Sequence, residues 1–212
     1  MNKKNFTYKI LEIKKKDIGT KTPEKIYNLI KNENTYSILA QLSKVLILEY
    51  LMISILSKKI FLFAIKKKQE VVGYILYAKK EKDLIVEFEK IKFKILIHLI
   101  LNFKIFSIIN IFLAITKLDI LLANFSIKKN TINTINLNLL AIKSIHQSKG
   151  LGKILIEKTL KKLSNKGLKF NYVSCEAPTR RALKFYKRKK FYLIGKKIRL
   201  FKNLYLLKKK IK

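Results

Sequence analysis

Cysteine and histidine are scarce in this chain of 212 residues, which contains one cysteine and two histidines. Cys175 alone cannot form an internal disulfide, and with His98 and His146 it cannot build a cysteine-rich zinc site or a multi-histidine metal centre. We therefore expect a reducing compartment and metal-free chemistry.

Long uninterrupted apolar runs are also missing. The first twenty residues lack the run of about 7–15 apolar residues that a secretory signal peptide needs. Residues 91–115 are very apolar, but Lys92, Lys94 and Lys104 leave no charge-free run of the roughly 18 residues that a membrane span requires. A cytoplasmic protein is expected, and contact of residues 91–117 with a membrane surface stays open because lysines can extend from such helices to the interface.

Acidic residues are few: 13 Asp and Glu stand against 48 Lys and Arg, which gives a formal net charge of +35. The chain is 49% hydrophobic, which excludes the disordered class, since disordered chains are poor in apolar residues. Nearly all the basic residues are lysines, and phosphate-binding surfaces favour arginine, whose planar group donates two hydrogen bonds at once. We attribute the charge mainly to an AT-rich genome, and a nucleic-acid partner is disfavoured.

Hydrophobic periodicity predicts alternating strands and helices. Strands are expected over residues 8–13, 60–65, 71–78, 135–142, 170–175, 191–201 and 204–211. Helices are expected over residues 22–32, 35–57, 150–163 and 179–191, with one or two more over the apolar stretch 91–115. Because no linker rich in Gly, Ser or Pro interrupts the chain, we expect a single α/β domain over residues 1–212 with a helix-rich insertion at about 81–133.

Local signals refine four of these elements. Thr22 is the expected N-cap of the first helix, with Pro23 at its first position, and Thr179 is the expected N-cap of the last. Gly167 is placed to end the helix that starts near Gly150. Gly73, inside an apolar strand, indicates a bulge or a close approach of another backbone.

The most informative segment joins a strand to a helix through Gln147-Ser148-Lys149-Gly150-Leu151-Gly152, a Q-x-x-G-x-G pattern. The first backbone N–H groups of a helix have no partner inside the helix, and the helix dipole favours negative charge there. Glycine removes the Cβ atoms that would keep a phosphate away from those groups. We call residues 147–153 the cradle and predict that it binds a pyrophosphate.

This segment resembles the GNAT superfamily of acyl-CoA-dependent N-acetyltransferases. The stretch LLAIKSIHQSKGLGKILIE is similar to the family's strand, R/Q-x-x-G-x-G/A loop and helix, and VSCEAPTRRALKFYKRKKF is similar to its second motif, N-x-x-A-x-x-F/Y-Y followed by G-F. The resemblance implies a mixed, mostly antiparallel sheet flanked by helices, with two splayed central strands. Some bacterial members of the family carry a helical insertion after the third strand, as expected here.

The resemblance also implies roles for single residues. Backbone groups of Leu140 and Ile142 would bind the pantetheine arm of acetyl-CoA, and Tyr186 would protonate or stabilise the departing CoA thiolate. Groups around the pyrophosphate would come from Gln147, Ser148, Lys149, Gly150, Leu151, Gly152 and Lys153. Thr179 replaces the family's usual Asn at a position that contacts the cofactor, and Lys190 replaces the Gly of the final G-F, so we expect an altered turn there.

Other candidate residues have simpler interpretations. Judged by helix spacing alone, Tyr186 belongs to the core; His146 is expected to pack at the surface beside the cradle, and His98 to be an interior or interfacial histidine. A nucleophilic role for Cys175 is disfavoured because the family transfers the acetyl group directly to the amine. Glu176 is a candidate base or substrate contact.

The expected function is acetyl transfer from acetyl-CoA to a primary amine, with no metal. An amino sugar or a small amine is favoured as acceptor, and a protein N-terminus stays open. The alternatives are a basic RNA- or ribosome-binding module and a protein of the membrane surface, both without catalysis.

Overall fold

A computed structural model describes residues 8–102, 108–109, 133–199 and 202–211. The architecture is mixed α/β, with seven strands whose pairings are mostly antiparallel and with helices beside them. The chain divides into two compact units, Met1–Ala78 with Leu139–Leu168, and Lys79–Asn138 with Lys169–Lys212. Most of the predicted insertion, residues 103–107 and 110–132, lies outside the described residues.

The first unit is built on an antiparallel meander. Strands β1 (Tyr8–Glu12), β2 (Ile60–Lys67) and β3 (Glu70–Ala78) pair in sequence, and the end of β4 (Thr134–Ile142) follows β3. The helices are α1 (Thr22–Glu33), α2 (Lys44–Leu56) and α5 (Leu151–Asn165). The predicted hairpin of β2 and β3 is confirmed, with each strand slightly longer than expected.

Helices α1 and α5 cover opposite faces of this meander. On β3, the Tyr74 hydroxyl accepts a hydrogen bond from Asn34 at the end of α1 (2.6 Å), and the Tyr77 hydroxyl lies 3.0 Å from the Thr159 hydroxyl on α5. Residues three apart on a strand point to opposite faces. Both tyrosines are fully buried, so β3 forms the centre of the core of this unit.

Gly73 on β3 meets both expectations for that position. The register between β2 and β3 shifts beside it, between Ile65 and Lys66, which marks a bulge. A Cβ on Gly73 would lie 2.8 Å from the Ala141 carbonyl oxygen and 2.5 Å from the Ile142 side chain. The strand that leads into the cradle therefore lies against β3 at a distance that only glycine permits.

The second unit contains the first half of β4 and the remaining strands β5 (Tyr172–Ala177), β6 (Tyr192–Arg199) and β7 (Lys202–Lys210). β4 pairs with β5 in parallel, and β5 with β7 and β7 with β6 antiparallel. Its helices are α3 (Glu81–Glu89), α4 (Lys92–Leu101) and α6 (Arg180–Arg188). The pairing of β4 with β5 ends at Leu137 and Cys175.

Several helix boundaries differ from the sequence-based expectations. Thr22 is the first residue of α1 and not its N-cap; Lys21 occupies the cap position without a side-chain bond. The single helix expected over residues 35–57 is a short 3₁₀ turn at Ile38–Gln41 followed by α2, because Ser43 accepts a hydrogen bond from the Leu46 amide and starts a new helix. α6 ends at Arg188, three residues early. Thr179 caps α6 as predicted, accepting from the Ala182 amide at 3.1 Å.

Within the described ranges, no helix combines the length and the apolar character that crossing a bilayer would require.

Candidate functional site

The cradle occupies the connection between β4 and α5, as the sequence predicts. Gly150 is the N-cap of α5 and has φ +77°, in the left-handed region that favours glycine. Ser148 also has a positive φ, of 60°. These two conformations turn the backbone so that the chain enters the helix with consecutive amides at its N-terminus.

Five consecutive backbone N–H groups at this junction belong to Ser148, Lys149, Gly150, Leu151 and Gly152. No atom of the described residues accepts a hydrogen bond from any of them; the first helical bonds begin with the amides of Lys153 and Ile154, which donate to the Gly150 carbonyl. An ideal Cβ on Gly150 would meet nothing within 4 Å, so the space beside this residue is open. Unpaired amides, a helix N-terminus and open space together fit an anion such as a pyrophosphate.

The side chains of the cradle point in different directions. Gln147 turns toward the protein: its Nε2 donates to the Ile142 carbonyl at 2.7 Å and to Glu33 Oε2 at 3.2 Å. Lys149 folds back and donates to the Ile145 carbonyl at 2.9 Å. Lys153 extends from the first turn of α5 and lies 4.0 Å from Glu157, with both side chains about half exposed.

The backbone of β4 presents one edge beyond its paired segment. The Lys143 amide donates to the Val72 carbonyl of β3 at 2.8 Å. Because backbone groups alternate along a strand, those of Leu140 and Ile142 point to the edge away from β3. Both residues lie beyond Leu137, where the register with β5 ends. The Ile142 carbonyl already accepts a hydrogen bond from Gln147. The N–H and C=O groups of Leu140 and the N–H group of Ile142 therefore remain on this edge as hydrogen-bonding groups for an extended ligand.

His146 lies in the cradle loop and is buried, with 5% of its surface exposed, which corrects the prediction that it packs at the surface. Neither ring nitrogen has a hydrogen-bond partner among the described residues; Nε2 is 3.9 Å from Glu70 Oε2, and the ring packs edge-on against Tyr8. Burial lowers the pKa of His146, and nearby lysines add to this effect while Glu70 opposes it. The ring is a neutral packing element of the loop at physiological pH.

Tyr186 and Cys175 meet in the second unit. Tyr186, on α6, is 5% exposed, and its ring lies between Phe185 and Phe191, with centroid distances of 5.1 and 5.2 Å. Its side chain hydrogen-bonds to Cys175 at the end of the paired part of β5. Burial raises the pKa of the Cys175 thiol well above its usual value, the Glu176 carboxylate adds to this, and the bond to Tyr186 opposes it. A protonated thiol is a poor nucleophile, which agrees with direct transfer.

The sequence also matches a family model directly. Residues 118–191, about a third of the chain, match the acetyltransferase (GNAT) family. This match contains both the cradle and the Tyr186 motif, in the predicted order. Over these residues the chain is similar to the GNAT acetyltransferase family. No curated protein matches the sequence.

Solved structures confirm the GNAT fold over nearly the whole chain. An acetyltransferase from Thermus thermophilus aligns with a TM-score of 0.58 at 12% identity, covering 97% of each chain. The PaiA N-acetyltransferase from Thermoplasma acidophilum, solved with coenzyme A, gives 0.53 at 12% identity over 97% of this chain and 99% of that one. The ribosomal-protein-S18-alanine N-acetyltransferase from Escherichia coli gives 0.56 at 10% identity over 97% and 94%. At these identities the likeness concerns the fold alone.

The chain departs from the GNAT pattern at Lys190, where the resemblance implies a glycine in the turn before Phe191. Lys190 adopts φ +63°, the left-handed conformation that suits glycine, so the turn is present and the side chain accommodates it. Phe191, 3% exposed, keeps its place in the core because its amide still donates to the Tyr186 carbonyl at 3.1 Å.

Lys190→Gly should raise the free energy of unfolding by about 1 kcal/mol. A left-handed backbone costs a residue with a Cβ about 1–2 kcal/mol, and glycine removes this cost. Part of the stabilisation is lost because glycine also makes the unfolded chain more flexible. Urea denaturation measures the change. Lys189→Gly is the matched control, since Lys189 has φ −98° and gains nothing from glycine. Equal effects of the two substitutions would contradict the strain at Lys190.

Two site residues were missed by sequence reasoning. Glu33, at the end of α1, contacts the cradle loop, and Glu70, at the start of β3, pairs with Lys143 at its entrance. Glu33 is 111 positions from Ser144 in the sequence, and isolated glutamates carry no pattern that links them to a distant loop. A cluster of His, Cys, Asp or Glu that could hold a metal is not found in the part of the chain that the structure describes.

Proposed function

We propose that this chain transfers an acetyl group from acetyl-CoA to a primary amine, with an amino sugar or another small amine as the favoured acceptor, a protein N-terminus as the further candidate, and the cytoplasm as its location. The observation that carries the proposal is the row of five unpaired amides, Ser148–Gly152, at the N-terminus of α5. By the resemblance to the GNAT family, this segment would hold the CoA pyrophosphate.

The cradle can supply the affinity that a cofactor needs. Each charge-assisted hydrogen bond contributes roughly 1.5–3 kcal/mol. Three or four of them would provide most of the roughly 8 kcal/mol that corresponds to micromolar binding. Lys153, in the first turn of α5, would add a positive charge near these amides. Thr179 is committed to capping α6, so its contribution to cofactor binding would be indirect.

Bound acetyl-CoA would supply the activated acetyl thioester. The free edge of β4 at Leu140 and Ile142 would orient the pantetheine arm as an added strand, since main-chain hydrogen bonds along an extended ligand fix its direction and register. Tyr186 would hold the proton that the departing thiolate requires. Its packing against Phe185 and Phe191 holds the ring in place, as a positioned proton donor needs.

The acceptor amine must lose a proton before it attacks. An α-amine, with a pKa of about 7.7–8.0, needs less help than a lysine-like amine near 10.4. β4, Thr134–Ile142, has no carboxylate to act as the base. We therefore infer that a water chain or a side chain from residues 81–133 accepts this proton. That segment is also long enough to cover a pocket for a small amine.

Binding of acetyl-CoA is the first test. A ligand that binds only the folded protein raises its melting temperature by mass action, so acetyl-CoA at 100 times its Kd should stabilise the protein by about 2.7 kcal/mol. Radiolabelled acetyl-CoA incubated with a panel of amino sugars, small amines and peptides of free N-terminus would then identify the acceptor. The absence of any thermal shift at millimolar acetyl-CoA would overturn the proposal.

A further inference from the structure

Glu33, the last residue of α1, is bonded to the loop that carries the cradle. One carboxylate oxygen, Oε1, accepts hydrogen bonds from the Ser144 amide at 2.8 Å and from the Ser144 hydroxyl at 3.0 Å. The other, Oε2, accepts from Gln147 Nε2 at 3.2 Å. We propose that Glu33 is a positioning residue that fixes the cradle and thereby sets the affinity for the CoA pyrophosphate, an inference that rests on the proposed function.

The three bonds connect the two ends of one short turn. Ser144 begins the 3₁₀ turn Ser144–His146, and Gln147 is the residue that ends it. The first unpaired cradle amide belongs to Ser148, directly after Gln147, and has the left-handed φ that starts the change of direction. A carboxylate bonded to both Ser144 and Gln147 therefore fixes the backbone directly before the five amides, and with it the direction of their N–H groups.

Gln147 transmits this constraint to β4. The same Nε2 that donates to Glu33 also donates to the Ile142 carbonyl at 2.7 Å. Glu33, Gln147 and Ile142 thus form a continuous set of hydrogen bonds from α1 to the strand end before the cradle. This explains why glutamine serves at the motif position where arginine is more common: it bridges a carboxylate and a carbonyl within the loop.

The entrance of the loop is held separately. Lys143 pairs with Glu70, and the Lys143 amide donates to the Val72 carbonyl at 2.8 Å. These contacts attach the end of β4 to β3 and would persist without Glu33. Loss of Glu33 should therefore loosen residues 144–147 while the strand before them keeps its place.

The test compares Glu33→Ala and Glu33→Gln with Glu24→Ala. Glu24 lies near the opposite end of the same helix and pairs there with exposed Lys44 at 2.8 Å, which makes it the matched control. Glu33→Ala should raise the KM and the Kd for acetyl-CoA about tenfold, since a hydrogen-bonded anchor of this kind is lost, and change kcat less than about twofold. Glu33→Gln keeps an acceptor for Ser144, so its increase should be smaller, about threefold.

Hydrogen exchange provides a readout that does not depend on acetyl-CoA. The Ser144 amide should exchange faster in Glu33→Ala than in the parent protein. In Glu24→Ala its exchange rate should equal that of the parent. If wild type fails to bind acetyl-CoA, the proposed function fails, and the exchange of Ser144 still decides whether Glu33 fixes the loop. The inference would be overturned by a folded Glu33 variant in which both the exchange of Ser144 and the KM are unchanged. A variant with a lower melting temperature and no change in KM would also overturn it.

Discussion

Gly150→Asp should weaken acetyl-CoA binding by at least roughly 100-fold, which corresponds to about 2.7 kcal/mol, the contribution of one to two charge-assisted hydrogen bonds. The new carboxylate would occupy the open space beside Gly150, within the run of five cradle amides, and would repel a pyrophosphate bound there. Isothermal titration with acetyl-CoA measures the effect. A variant that is folded and binds with the parent affinity would show that the cradle is not the cofactor site.

Gly167→Asp provides the control, because it reproduces the backbone cost of the substitution without the charge in the cradle. Gly167 lies just beyond the other end of α5, has φ +81° and, like Gly150, has nothing within 4 Å of an ideal Cβ. Both variants should therefore lose a similar stability, about 1 kcal/mol, for placing a side chain in a left-handed conformation. Only the Gly150 variant should lose the ligand. Equal losses of affinity would indicate a general effect on α5.

The parts of the fold that could be predicted from the sequence depend on local patterns. The hairpin of β2 and β3 follows from two apolar runs and a polar turn, and α5 follows from glycines at both ends and a stripe that includes the buried Ile156, Leu160 and Leu163. The cradle was predictable for the same reason: a glycine-rich helix start is local chemistry. In each case the residues that determine the structure are close together in the sequence.

The features that escaped prediction depend on contacts between distant residues. Whether His146 is buried depends on Tyr8 and Glu70, which belong to β1 and β3. The inward orientation of Gln147 depends on Glu33 at the end of α1. The sequence suggests that Gln147 contacts a ligand, because it lies in the cradle loop. Its side chain instead forms a hydrogen bond inside the protein, with a residue more than a hundred positions away.

The turn at Lys190 illustrates a different limit. A missing glycine normally indicates that a left-handed turn is absent, yet here the turn persists with a lysine at φ +63°. The packing of buried Phe191 against Tyr186, at a centroid distance of 5.2 Å, offsets the small local strain. Tertiary packing therefore decides the backbone conformation where the local preference is weak, and the motif survives with an unfavourable residue.

Tyr186→Phe should lower kcat about 100-fold and leave the Kd for acetyl-CoA within about twofold, because a positioned proton donor contributes roughly 100- to 10,000-fold to such a reaction. The phenyl ring keeps the packing against Phe185 and Phe191, so the fold should be retained. What is lost is the hydroxyl that would protonate the departing thiolate. Steady-state kinetics with the identified amine, together with titration of acetyl-CoA, separates turnover from binding.

Two further variants make this prediction specific. Tyr192→Phe removes the same hydroxyl from a tyrosine that is 48% exposed at the start of β6, and it should leave kcat unchanged. Cys175→Ala removes the side chain that hydrogen-bonds to Tyr186, and it should retain turnover within a few-fold, since burial keeps the pKa of this thiol high and direct transfer requires no thiolate. Loss of all turnover in Cys175→Ala with full activity in Tyr186→Phe would instead assign the reaction to an acetyl-cysteine intermediate.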